Sequence, residues 1–110
     1  MSISIYYWFE HERDLALDET LLKIAKEWER ALPAAYEPWT WYDTERIGGR
    51  YRIEGCTKIS PEMEMAWKEI KLAARLLSEL RNEVGGVEWR VSVDDHILPW
   101  RSAERMFDPN

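Results

Sequence analysis

Hydrophobic and polar residues alternate in three stretches of this chain and follow a helical period in two others. From Ser2 to Phe9, Ile3, Ile5, Tyr7 and Phe9 fall on one face and Ser4, Tyr6 and Trp8 on the other, the period-two pattern of a strand. The charged run Glu10 to Asp14 is expected to end it. Leu17, Leu21, Ile24, Trp28 and Leu32 then recur at spacings of three and four, while Lys23, Lys26, Glu27 and Arg30 face away. That spacing predicts an amphipathic helix capped by Asp18, with Glu19 in its first turn, and stopped by Pro33.

After the loop from Pro33 to Pro38, the short aromatic segment Trp39 to Asp43 reads as a strand. Tyr51 to Ile59 reads as another, with Tyr51, Ile53, Gly55, Thr57 and Ile59 on one side and Arg52, Glu54, Cys56 and Lys58 on the other. Ile47-Gly48-Gly49-Arg50 between them supplies the positive φ angles of a hairpin turn. Ser60-Pro61-Glu62 combines a capping hydroxyl, a preset φ and a carboxylate at the positive end of the dipole, and so starts a second helix. Met63, Trp67, Ile70, Ala74, Leu77, Leu80 and Val84 form its stripe, widened by Met65, Leu72 and Leu76, until Gly85-Gly86 ends it. Val87, Trp89, Val91 and Val93 alternate with Glu88, Arg90, Ser92 and Asp94 in a last strand. Residues 95–110 have no period, yet Ile97, Leu98, Trp100, Met106 and Phe107 are apolar enough that the tail is expected to pack back on the domain.

The order strand, helix, strand, strand, helix, strand predicts an α+β domain spanning residues 1–110. Its simplest arrangement is a ferredoxin-like βαββαβ fold, with two helices on one face of a four-stranded antiparallel sheet and an irregular tail. Its first and third strands would be central. The helix-facing halves would be Ile3, Ile5, Tyr7 and Phe9, then Tyr51, Ile53 and Thr57, then Trp89, Val91 and Val93. Tyr6 and Trp8 would then stand mid-sheet on the open face, beside Arg52 and Arg90. Aromatic and arginine side chains dominate interface hot spots, because they bury a large area and still offer a polar group. Three readings compete for this face: a second core layer roofed by Trp100 and Phe107, a protein or self-dimer interface, and a base-stacking platform of the kind RNA-recognition modules use.

Composition narrows these choices. With 21 acidic and 15 basic side chains the net charge is -6, spread along the chain without a basic patch. Phosphate backbones are held chiefly by basic residues, and the third strand, Tyr51-Arg52-Ile53-Glu54-Gly55-Cys56, lacks the glycine and aromatic signature of RNA-recognition modules, so nucleic acid is not an expected partner. No run approaches a membrane span. A single cysteine, Cys56, and an N-terminus without a basic region and long apolar stretch point to the cytoplasm.

Candidate chemistry is sparse. Glu10-His11-Glu12 and Asp94-Asp95-His96 cluster histidine with carboxylates, as a metal or acid-base site would, but the fold places them a sheet length apart. Gly48-Gly49 and Gly85-Gly86 lack the context of a phosphate loop, and no serine sits in a nucleophile elbow. No catalytic residue, metal or cofactor is expected. Trp39-Thr40-Trp41-Tyr42, next to Tyr36 and followed by Asp43 and Glu45, reads either as a core-anchoring strand or as an aromatic rim whose acidic neighbours suit a basic partner. Tyr6, Trp8, Trp39, Trp41, Tyr42, Asp43 and Glu45 are therefore the candidate partner-binding residues. In size, acidity and aromatic content the chain resembles the immunity or inhibitor proteins that bacteria and phages use to block a nuclease or other toxin, without a shared motif. The expected function is a protein-protein interaction domain of that kind, with a homodimer through the open face as one form. The alternative is a small-molecule-binding domain or enzyme with a cleft over that face and His11 or His96 as an acid-base group.

Overall fold

The computed structural model describes residues 3–12, 14–45, 48, 50–85 and 88–110, the side chain of Glu45 excepted. Ser2, Ile47, Gly49, Gly86 and Val87, which the strand, turn and cap expectations included, lie outside the described residues. The elements are β1 (Ile3–Glu12), α1 (Leu15–Ala31), β2 (Tyr42–Glu45), β3 (Arg50–Ile59), α2 (Met63–Val84), β4 (Trp89–Val93), β5 (His96–Ile97), β6 (Trp100–Arg101) and β7 (Met106–Phe107). The fold is α+β, two helices with an antiparallel sheet in the order β2-β3-β1-β4-β5 and a separate β6-β7 hairpin. The expectation of a four-stranded sheet with an irregular tail is thus corrected. Asp94, at φ 50, turns the chain tightly enough for His96 and Ile97 to pair with Val93 and Ser92 as a fifth strand, and Arg105, at φ 53, does the same within the β6-β7 hairpin.

β1 and β3 are central and pair over ten residues, from Ile3 opposite Ile59 to Glu12 opposite Arg50. Glu10 to Glu12 belong to β1, so the charged run extends the strand instead of ending it. Ile5, Tyr7, Phe9, Ile53, Ile59 and Val91 turn inward and join Leu17, Leu21, Ile24 and Trp28 of α1 and Ile70, Leu76, Leu77 and Leu80 of α2 in one core. Each such side chain contributes on the order of 2 kcal/mol on leaving water.

The helix starts differ from expectation. α1 begins a turn earlier than Asp18, because Asp14 holds an extended backbone and its Oδ1 accepts from the Leu17 amide at 2.7 Å. In α2 the cap position falls to Glu62, and the Ser60 hydroxyl oxygen accepts from the Glu62 amide at 3.2 Å. Of the expected α2 stripe, Ile70, Ala74, Leu76, Leu77 and Leu80 are buried, and the departure is at the first turns. Ala66, Glu69, Ala73 and Leu76 are buried, whereas Met63 is exposed and Trp67 is 40% exposed, which removes Trp67 from the core. Glu69 adds a polar member to the buried face. Its carboxylate, fully buried, accepts from the Tyr36 amide at 3.1 Å and the Ser60 amide at 3.0 Å, tying α2 to the loop after α1 and to the end of β3.

The tail packs on α2. The Phe107 amide donates to the Ser78 hydroxyl at 2.8 Å, and the Asn82 side chain donates to the Arg105 carbonyl at 2.9 Å. The Arg81 guanidinium lies 4.2 Å from the Trp100 ring centre, 5.6 Å from that of Phe107 and 5.9 Å from that of Trp89. Trp100 and Phe107 therefore do not cross the open face of the sheet. Among the described residues, no helix is long and apolar enough to cross a membrane.

Candidate functional site

Strand alternation and register decide which side chains share the open face. On β1, Ser4, Tyr6, Trp8 and Glu10 oppose the inward set, and the β3 residues level with them are Lys58, Cys56, Glu54 and Arg52. On β4, Ser92 is level with Tyr6 and Arg90 with Trp8. Tyr42 stands opposite Glu54 on β2, and Ile97 opposite Ser92 on β5. A band of Tyr42, Trp8, Tyr6 and Ile97 thus crosses the sheet diagonally. Tyr6 is 47% exposed, Tyr42 53% and Ile97 49%, and Trp8 is half-buried. Trp8 is covered in part by Arg52, whose guanidinium lies 4.2 Å from the indole centre while its Nη2 is 3.8 Å from a Glu10 oxygen. Cation–π attraction keeps this guanidinium over the indole. Burial and then the proximity of Glu54 and Cys56 hold the Tyr42 phenol above its ordinary pKa.

The seven candidate residues separate into three groups. Tyr6, Trp8 and Tyr42 share the open face. Asp43 is opposite Ile53 and Glu45 opposite Tyr51, register positions on the other face, where Asp43 is exposed at the sheet edge. Trp39 and Trp41 precede β2 and belong to the core, where the core-anchoring reading put them. Trp39 is 5% exposed and stacks on Tyr7 with centroids 4.3 Å apart, and Trp41 meets Tyr7 edge-on at 5.1 Å while its indole N–H donates to the Leu21 carbonyl at 3.1 Å.

This inward placement of the two tryptophans has a local cause. The buried Tyr7 hydroxyl donates to the Thr40 carbonyl at 2.9 Å and lies 2.9 Å from the Thr57 hydroxyl, pinning the segment between Trp39 and Trp41 against the sheet. Gly55 makes room for it, since a methyl there would overlap both the Tyr7 ring and the Thr40 carbonyl oxygen. Ile97 is the open-face residue that the sequence reading missed. The aperiodic tail carried no strand signal, and only the Asp94 turn returns Ile97 to the sheet.

The histidine clusters stay apart. Asp94 is level with Ser4 at the start of β1, so about 20 Å of strand separates it from His11. The His11 Nδ1 is 2.6 Å from the Glu12 carbonyl oxygen, its ring 6.4 Å from Phe9, and His96 is exposed on β5. Among the described residues, no group of three His, Cys, Asp or Glu side chains could hold a metal ion. The clefts of 310 to 470 Å³ found along α1, α2 and the tail are open grooves lined mainly by helix-surface residues, such as Lys23, Lys26 and Glu27 on α1. Comparison with models of known protein families, with curated proteins and with solved structures finds no match.

Proposed function

We propose that this chain is a protein-protein interaction domain of the cytoplasm and that the open sheet face, centred on Tyr6 and Trp8, is its contact surface. The observation that carries the reading is the tail's position. With Trp100 and Phe107 held on α2, the mid-sheet band of Tyr42, Trp8, Tyr6 and Ile97 has no cover within the described residues. Exposed aromatic and apolar side chains gathered on one sheet face, here with Glu54 and Ser92 between them, suit an interface, and the composition of tyrosine, tryptophan and stacked arginine is that of a hot spot. The two helices pack on the opposite face of the sheet, behind the band.

The finer proposal is an inhibitor or immunity role. A net charge of -6 steers the domain toward a cationic protein, and Asp43 at the sheet edge adds to that field near Tyr42. The experiment is site-specific photo-crosslinking in cells, with the crosslinker at Tyr6 or Tyr42 and, for comparison, at Lys26 on the outer surface of α1. A discrete protein adduct from positions 6 and 42 and none from 26 is expected. Absence of an adduct at both open-face positions overturns the reading.

A further inference from the structure

We infer that the open sheet face pairs with a second copy of this chain about a two-fold axis running along β1. The inference rests on the protein-binding reading of that face and names its occupant. Its basis is the charge at equal distance on either side of β1, taken level by level. Beside Ser4 stand Lys58 on β3 and Asp94 after β4. Beside Tyr6 stand the uncharged Cys56 and Ser92. Beside Trp8 stand Glu54 on β3 and Arg90 on β4. Beside Glu10 stand Arg52 on β3 and Glu88, whose carbonyl accepts from the Glu10 amide at 3.2 Å. At the levels of Ser4, Trp8 and Glu10 one flank is basic and the other acidic, and at the level of Glu12 the described flank is the basic Arg50.

That antisymmetry is what a two-fold axis along β1 requires. The operation keeps each residue at its level and carries the β3 side onto the β4 side, so residues on one flank face the opposite flank of the second copy. Arg90 then faces the second copy's Glu54, Arg52 its Glu88 and Lys58 its Asp94, each twice by symmetry. Tyr6 and Trp8 lie on the axis and meet their own images, and Ile97 comes diagonally beside the second copy's Tyr42. The on-axis Glu10 and Glu12 are like-charged meetings; Arg52, 3.8 Å from Glu10 in the same chain, and Arg50, level with Glu12, offset them.

A two-fold axis across the strands, centred between Tyr6 and Trp8, sets Lys58 against Arg52 and Asp94 against Glu88, like charges in both cases. Centred on Tyr6, it sets Lys58 against Glu54 and Asp94 against Arg90. Only the axis along β1 brings Arg90 and Glu54 together, so a double charge swap at those two that stays monomeric overturns it. Aligned sheet packing about the first axis needs only the ordinary angle of about 30° between sheets.

Sedimentation equilibrium of the full chain tests this. A mass twice the 13.2 kDa of one chain is expected. Arg90→Glu alone and Glu54→Arg alone are expected to return the monomer, and the double variant to restore the dimer, because the swap reverses both partners of one facing pair. Trp67→Glu, on the exposed surface of α2, is expected to leave the dimer intact. Thermal melting of each variant shows that it is folded, since neither Arg90 nor Glu54 belongs to the core. A monomer for the wild type at concentrations up to about 100 μM overturns the inference, as does a dimer that survives both single charge reversals or is lost only with Trp67→Glu. A monomer that crosslinks from Tyr6 to a different protein retains the interaction reading and removes the self-pairing. A monomer without adducts removes both.

Discussion

Tyr7 is the residue on which most of the interior converges, because its ring, its hydroxyl and the empty space at Gly55 form one unit. The ring stacks on Trp39, the hydroxyl satisfies Thr40 and Thr57, and Gly55 admits the close approach. Gly55→Ala must displace either the Tyr7 ring or the Thr40 backbone, and overpacking of this kind costs about 1–3 kcal/mol. Denaturant unfolding is expected to show that loss, and a stability equal to wild type would mean the segment around Thr40 yields freely. Burial drives the Tyr7 phenol well above its ordinary pKa, outweighing the hydrogen bonds that lower it. The sign follows from proton counting. Above pH about 10 the unfolded tyrosine ionises while folded Tyr7 keeps its proton, so this contribution to stability is full below pH 10 and falls by about 1.4 kcal/mol per pH unit above it. Tyr7→Phe is expected to flatten the decline between pH 9 and 11 relative to wild type, and parallel declines in the two proteins would exclude Tyr7 as its source. Glu69 acts through hydrogen bonds alone, its buried carboxyl oxygens accepting from two main-chain amides. Glu69→Leu leaves both amides without a side-chain acceptor and is expected to cost more than Glu69→Gln, which keeps one carbonyl oxygen, at about 1–3 kcal/mol per orphaned amide.

At the scale of elements, periodicity was informative wherever burial followed polarity. Alternation along β1 and β3 placed Ile5, Tyr7, Phe9, Ile53 and Thr57 inside, and the α1 stripe of Leu17, Leu21, Ile24 and Trp28 is buried. On α2 it placed Ile70, Ala74, Leu76, Leu77 and Leu80 inside but missed the first turns, where Glu69 occupies a core position. A stripe drawn through apolar residues alone slides off that side and takes in Met63 and Trp67, which the structure leaves in water. The Asp14 and Asp18 caps are one helical turn apart and equally acidic, so only the geometry of the chain entering from β1 separates them. The tail was illegible for another reason. Its pieces of two residues each are too short for a period, and what holds them is long-range, namely Arg81 among three aromatic rings and Ser78 beneath the Phe107 amide. Phe107 is the buried anchor, so Phe107→Ala is expected to destabilise the fold by about 3–5 kcal/mol by urea unfolding. A loss within about 0.5 kcal/mol, the range of surface substitutions, would show that the hairpin is not part of the cooperative unit.

For the whole molecule, the open face was half legible from sequence: alternation gave Tyr6 and Trp8, but the antisymmetry of charge about β1 needs the register of three strands, which no local pattern encodes. The same charges set up a contest in the paired form. Two chains of net charge -6 with centres about 20 Å apart repel by about 7 kcal/mol unscreened in water, far more than a few partly exposed ion pairs of about 0.2–1 kcal/mol each return. Screening acts unequally on the two. At 0.1 M salt the Debye length of about 10 Å cuts the long-range repulsion to about 1 kcal/mol, while pairs in contact across the interface lose much less. At about 0.01 M, with a Debye length of about 30 Å, roughly half of the repulsion remains. Self-association is therefore expected to strengthen as salt rises from about 0.01 to 0.1 M and to change little beyond, the reverse of an interface between oppositely charged proteins. Sedimentation across that range reads the effect directly, and a dimer that weakens steadily from the lowest salt would show that facing ion pairs outweigh the net charge.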